Sequence, residues 1–286
     1  MLASLSSRGG RRLNGGFAWR RGSWRVDVWV LESVHAVAVK AADICCELIQ
    51  RKPDARLGLA TGSTPQALYA ELIERNRRGQ LSFALVETFN LDEYLGIGPD
   101  HPQSFHRAMR DSLFAEVDID PANTHLPRGD SSDPVAEARA YEALIESRGG
   151  IDLQILGIGR NGHIGFNEPG SSLGSRTRVK TLSRATLRDN QLGQPDFEEP
   201  IMAITMGIGT ILDARALVVI ATGAAKAKAV AAALEGPLAA SCPASAIQLH
   251  PEATVVLDPE AAADLRLTDY YELVDQARRR LAGRCS

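Results

Sequence analysis

Cysteine is scarce, with four in 286 residues. Cys45 and Cys46 are neighbours in a helical pattern, Cys242 precedes a proline and Cys285 is next to last. Those spacings provide neither a disulfide framework nor a zinc-ligand set, and a reducing compartment follows as the default. Long apolar runs are also missing, since none reaches the length of a membrane span. Positive charge is not in excess either: the net charge is -3, which lacks the cationic surplus that a nucleic-acid backbone requires. That small total conceals an asymmetry. Residues 1–25 hold six arginines (Arg8, Arg11, Arg12, Arg20, Arg21, Arg25) and no acid, leaving 26 basic against 35 acidic groups and a charge of -9 on the remainder.

What is present is the composition of a soluble globular chain, 44% hydrophobic and 23% charged. The Ser, Gly and Arg of residues 1–25 show no apolar periodicity. They read as a disordered extension or, alternatively, a transit-like targeting segment, with the fold starting near Val26 and one domain over 26–286.

From Val26 short β-type runs alternate with helical patterns. Strands are expected at 26–31, 56–60, 85–90, 151–156, 217–222 and 254–257. Helices are expected after Ser33, after the Thr64-Pro65 pair as cap and first helical residue, at 104–114 and 134–147, and in the alanine-rich stretch to Leu234. Buried strands separated by helices imply an α/β fold: a single domain with an open, mostly parallel sheet covered by helices on both faces.

Ligands of such sheets bind beyond the carboxyl ends of the strands. After the second strand, Thr61-Gly62-Ser63-Thr64-Pro65 combines a glycine, hydroxyls and a helix N-terminus, the makings of an anion site or of an ordinary capped turn. After the third come Asp92 and Glu93. A partly desolvated carboxylate there suits proton abstraction next to a carbonyl, whereas the plainer reading makes Asp92 a cap and Glu93 a solvated side chain. After the fourth runs a glycine-rich loop. Gly157, Gly159 and Gly162 satisfy G-x-G-x-x-G, but Gly165, Pro169 and Gly170 break the helix that a dinucleotide site needs, and no acid occurs over 176–186. What remains is His163 with Glu168, an acid/base histidine whose tautomer a nearby carboxylate sets. Arg176, Arg178 and Lys180 alternate along a strand or loop as a solvated face or a second anion site, and Lys226 stands where it could reach a bound phosphate.

Taken together, the segments 57–65, 90–94 and 156–169, with 172–178 and 243–251, resemble the glucosamine-6-phosphate deaminase family of glucosamine/galactosamine-6-phosphate isomerases, in order from about Val26 to Tyr271. The resemblance implies a deaminating aldose-ketose isomerase that uses no metal or organic cofactor. His163 would open the sugar ring with Asn161 and Glu168 beside it, and Asp92 would carry a proton from C2 to C1. Gly62, Ser63, Thr64 and Lys226 match the phosphate side. Leu192 aligns with the family's phosphate-binding arginine, and Arg188, one helical turn earlier, is the expected substitute. Ser171, Arg178, Lys180 and Tyr270 resemble an allosteric site of some hexameric members. The resemblance further implies an amino-sugar-phosphate substrate, a cytoplasmic homo-oligomer, and no nucleic-acid or membrane partner. Two alternatives stay open: a 6-phosphogluconolactonase-like hydrolase, which has a similar loop but no counterpart of 90–94, and a non-catalytic sugar-phosphate sensor.

Overall fold

The computed structural model describes residues 26–189 and 201–282. Expectations for residues 1–25 and for Leu192 lie outside them. Eighteen elements follow in order: β1 (Asp27–Val30), α1 (Val34–Arg51), β2 (Arg56–Leu59), α2 (Gln66–Arg77), β3 (Glu87–Asn90), β4 (Asp92–Tyr94), α3 (Phe105–Ser112), β5 (Thr124–His125), α4 (Pro134–Ser147), β6 (Leu153–Gly157), β7 (Arg178–Thr181), α5 (Arg184–Asp189), β8 (Met202–Thr205), α6 (Ile208–Leu212), β9 (Leu217–Ala221), α7 (Ala227–Leu234), β10 (Ala253–Leu257) and α8 (Thr268–Ala282).

Seven strands form one sheet in the order β1-β10-β9-β6-β2-β3-β5, and every neighbouring pair is parallel. The sequence expectation of a mostly parallel sheet therefore holds. Its strands are buried on both faces, as the alternation in β9 illustrates. Leu217, Val219 and Ala221 pack into one apolar cluster, and Val218 and Ile220 into the cluster on the opposite side. Apolar residues on both sides of a strand commit it to the interior of a layered fold.

The chain leaves β2 for β3 on one side and leaves β6 for β9 on the other. The gap between the carboxyl ends of β2 and β6 is thus the topological switch point of the sheet, the place where a crevice opens.

A second sheet, β4-β8-β7, is antiparallel. Leu91 alone separates β3 from β4. Its N–H donates to Leu59 O at 3.0 Å in the large sheet, and its carbonyl accepts from Met206 N at 2.7 Å beside the small one. Tyr94, Phe166, Ile201 and Ala203 bury a third apolar cluster there, against which Phe105 packs.

Side-chain caps fix the starts of α1, α3 and α4. Ser33 accepts from Ala36 N at 3.1 Å, and Asp133 accepts from Val135 N and Ala136 N ahead of Pro134. One expected cap is absent: α2 begins after Pro65 with no side-chain cap bond, so Thr64 does not close that helix. Its side chain stands in the cleft wall instead.

Candidate active site

The crevice at the switch point is an open cleft. Thr61, Gly62, Ser63, Thr64 and Pro65 from the end of β2, Asp92 from β4, Gly159 and His163 from the loop after β6, and Lys226 from the turn after β9 all line it. Six of the residues singled out from sequence (Gly62, Ser63, Thr64, Asp92, His163, Lys226) therefore share one wall-to-wall space, although they span more than half the chain. Gly62 sits at φ +143°, a backbone region that side chains bearing a Cβ rarely enter.

Asp92 and Glu93 follow each other on β4 and are both buried, at 4% and 1% exposure, but they do different things. Glu93 accepts from the N–H groups of Phe105 and His106 at 3.0 Å each and from the Ser104 hydroxyl at 2.8 Å, and its Oε2 lies 2.9 Å from His106 Nδ1. It is the anionic cap of α3, set where the helix dipole favours negative charge. The plainer sequence reading, with Asp92 as cap and Glu93 in solvent, is thereby reversed. Capping by Glu93 also seats Phe105, the first residue of α3, in the cleft wall.

Asp92 accepts from the Thr205 hydroxyl at 3.4 Å across the β4–β8 pairing. Burial and then the charge of Glu93 push its carboxyl up from 3.8 to about 8, against hydrogen bonding from Thr205 and the Phe166 backbone. Gly165, at φ +53°, leaves the carboxylate accessible: a Cβ there would stand 3.2 Å from Asp92 Oδ2 and 3.1 Å from Thr205 Oγ1. A buried carboxyl with so high a proton affinity is a competent carbon-acid base near neutrality.

His163 is half-buried, and its ring lies flat against Gly159. A Cβ on Gly159 would come within 2.2 to 2.3 Å of three ring atoms. His163 Nδ1 is 2.7 Å from Asn161 Oδ1, and Asn161 Nδ2 donates to Glu168 Oε2 at 2.9 Å. A carboxylate can only accept, so the amide must turn its NH2 to Glu168 and its oxygen to the imidazole. Nδ1 therefore carries the hydrogen, and in the neutral ring Nε2 carries the lone pair. Glu168 thus orients His163 through Asn161 rather than by touching it, an arrangement that the order of residues in the loop does not reveal. Burial alone would raise the Glu168 carboxyl. Hydrogen bonds from the Thr186 hydroxyl, the Ser183 N–H and Asn161, with the charge of His163, outweigh it and hold the group below its usual value.

Lys226 closes a short 3-10 turn, Ala224–Lys226, on the far side of the cleft. Arg188 is exposed in the last turn of α5 and does not line the cleft. Among the resemblance-derived regulatory residues, Arg178 and Lys180 lie on β7, which settles the strand-or-loop question in favour of a strand. Arg178 is half-buried, which lowers its pKa, and its Nη1 donates to Asn167 Oδ1 at 2.8 Å. Ser171 is buried beside the Glu168 turn, its N–H donating to Glu168 O at 3.0 Å. Tyr270 stands on α8, which packs against β1, the edge strand of the large sheet. Among the described residues no group of three His, Cys, Asp or Glu side chains is placed to hold a metal ion.

Sequence reasoning overlooked Phe105 and Phe166, which give the cleft an apolar wall, and Thr205, which meets Asp92 from 113 residues away. The phenylalanines carry no chemical signature, and no local pattern points to Thr205. The assembled site offers a buried base, an imidazole with a set tautomer, and a hydroxyl-rich loop with a lysine for an anion. It is suited to moving protons on a polar ligand with an anionic end.

Comparison with known proteins gives a consistent result. The family model described as glucosamine-6-phosphate isomerases/6-phosphogluconolactonase matches residues 31–256. The glucosamine-6-phosphate deaminase of Hahella chejuensis is 58% identical over 257 residues, which cover 90% of this chain and 98% of the relative. That of Cellvibrio japonicus is 53% identical over 258 residues, covering 90% and 98%. Among solved structures, a monomeric glucosamine-6-phosphate deaminase superposes with a TM-score of 0.80 at 44% identity, covering 84% of this chain and all of that one. The 6-phosphogluconolactonase of Trypanosoma cruzi, at 22% identity and a TM-score of 0.69 over 86% of this chain and 98% of its own, shares the fold.

Proposed function

Since the chain belongs to the family of glucosamine-6-phosphate isomerases and 6-phosphogluconolactonases, we propose that it converts glucosamine 6-phosphate and water to fructose 6-phosphate and ammonia. The observation that carries this reading is the buried Asp92 sharing one cleft with His163, the 61–65 loop and Lys226. The phosphate lies on the loop and the lysine, which places the sugar ring between the imidazole and the carboxylate. His163 Nε2 takes the proton of the anomeric hydroxyl and returns it to the ring oxygen as the C1–O bond breaks, leaving the open aldehyde. Asp92 then removes the C2 proton while the substrate's 2-ammonium group passes a proton to the aldehyde oxygen, giving an enolamine, and Asp92 delivers the proton it took from C2 to the adjacent C1. One carboxylate serves both carbons because they are neighbours on one face. The resulting C2 imine is hydrolysed by water, releasing ammonia.

Lactone hydrolysis is the second chemistry of the fold, and it gives a buried base on β4 no task. Identity points the same way, at 44% or more to deaminases against 22% to the lactonase above. The test is ammonia release from a panel of phosphorylated sugars, with glucosamine 6-phosphate and galactosamine 6-phosphate side by side. Hydrolysis of 6-phosphogluconolactone without ammonia from any amino sugar overturns the proposal.

Finer parts of the same proposal follow the resemblance. Arg188 completes the phosphate site by movement of α5 toward the cleft. Ser171, Arg178, Lys180 and Tyr270 answer to a second phosphosugar, which a sigmoidal saturation curve would report. The protein is a cytoplasmic homo-oligomer, to be tested by sedimentation equilibrium because the solved relative is described as monomeric. Among the described residues no helix is long and apolar enough to cross a membrane.

A further inference from the structure

β9 and β10 run side by side with Ala221 opposite Leu257, so the residues that follow them emerge together at the cleft end of the sheet. After β9 the chain turns at Gly223, whose φ of 84° and ψ of 149° belong to a region confined essentially to glycine. It then forms the 3-10 turn that puts Lys226 in the cleft wall. After β10 comes Asp258, a carboxylate only 5% exposed that takes no part in the proton transfers above.

Asp258 accepts the Gly223 N–H with both oxygens, at 3.0 and 2.9 Å, and the Ala261 N–H at 2.8 Å. Glu260, two residues on, accepts the Ala224 N–H at 3.2 Å. The first two amides of the lysine's turn are therefore directed at carboxylates behind it, and what the turn presents to the cleft is Lys226. Charge-assisted hydrogen bonds to a buried carboxylate are strong and directional. Gly223 lacks the side-chain contacts that would otherwise hold it.

We propose that Asp258 is a positioning residue for phosphate binding, fixing the Gly223–Lys226 turn so that the lysine ammonium stands at the phosphate end of the cleft. The identity of the phosphate's bearer rests on the deamination reading; the fixing of the turn does not.

The test compares Asp258→Ala and Asp258→Asn with the unaltered chain. It uses the Michaelis constant for glucosamine 6-phosphate and calorimetric titration with inorganic phosphate. Asp258→Ala is expected to raise KM and the phosphate dissociation constant in parallel by about tenfold, with kcat falling less. Asp258→Asn keeps one acceptor oxygen for Gly223 and should stay within about threefold of the unaltered protein. Adding Lys226→Ala to Asp258→Ala should cost far less than the same change alone, because the lysine is already misplaced. An unchanged phosphate affinity in folded Asp258→Ala, or fully additive losses in the double variant, overturns the proposal. If Asp258→Ala does not fold, Gly223→Ala disturbs the same turn from its other end and must weaken phosphate binding likewise; normal affinity there is equally fatal. Phosphate binding that depends on Asp258 in a protein releasing no ammonia would sustain the positioning role and refute only the substrate.

Discussion

Replacing Asp92 by asparagine should abolish turnover and stabilise the fold, and the second effect should depend on pH. Burial holds the carboxyl's proton up to about 8 in the folded chain, against 3.8 as its ordinary value. Below pH 3.8 both states keep the proton and its contribution to stability is complete. Between 3.8 and 8 the unfolded chain ionises while the folded one stays protonated, so stability falls by about 1.4 kcal/mol per pH unit. Above 8 both are ionised and the slope vanishes. Asparagine has no proton to lose, so the stability gap between variant and parent should widen by about 2 to 3 kcal/mol from pH 5.5 to 7.5. For a chain of this size that is on the order of 5 °C in Tm, whatever constant offset the new amide introduces beside Thr205. Thermal unfolding of both proteins across this range measures it. Ammonia release should drop by about 10²- to 10⁴-fold, and the parent's kcat/KM should climb with pH toward 8 as the base ionises. A gap in Tm that does not change with pH refutes the buried, protonated carboxyl, and near-normal turnover in the asparagine variant refutes the base.

Three other outcomes follow from the same geometry. His163→Gln should slow the cyclic substrate while sparing the small open-chain fraction, seen as a retained pre-steady-state burst at high enzyme concentration; equal loss on both forms would move His163 into the carbon proton transfer. Gly159→Ala drives a methyl into the space of the imidazole, so activity should fall by about 10²-fold with inorganic phosphate binding preserved, and a normally active variant would contradict the packing. Arg188→Ala should raise KM by about one to two decades, the loss of about 1.5 to 3 kcal/mol of charged hydrogen bonding, with a smaller effect on kcat. An unchanged KM removes Arg188 from the phosphate site.

Six strands of the large sheet were legible because they are short buried runs separated by helical patterns, whereas β5, two half-buried residues long, carries no such run and was not expected. The residues of the cleft were legible because polar, glycine-bearing stretches immediately follow such runs. The small sheet was not. β4 is three residues long and its partner β8 lies more than a hundred residues downstream, so the pairing is a long-range event with no local periodic trace. The same limit hid the difference between Asp92 and Glu93. Adjacent carboxylates look alike in sequence, and only the arrival of the α3 N-terminus over one of them separates an architectural anion from a chemical one. Likewise the chain order Asn161, His163, Glu168 gives no hint that the amide stands between the other two in space.

The division into two sheets has a mechanical consequence. His163 hangs from β6 in the large sheet and Asp92 is carried by the small one, and Leu91 is the one residue of the chain between β3 and β4. Ties between the sheets therefore set the distance from base to imidazole: Phe166 N–H, in the loop after β6, donates to Thr205 Oγ1 at 3.1 Å, and Ser183 N–H, just beyond β7, donates to Glu168 Oε1 at 3.2 Å. Thr205 in turn stands opposite Asp92 on one side and Arg178 of β7 on the other. Base and imidazole thus belong to different sheets and are moored to each other by the same few bonds.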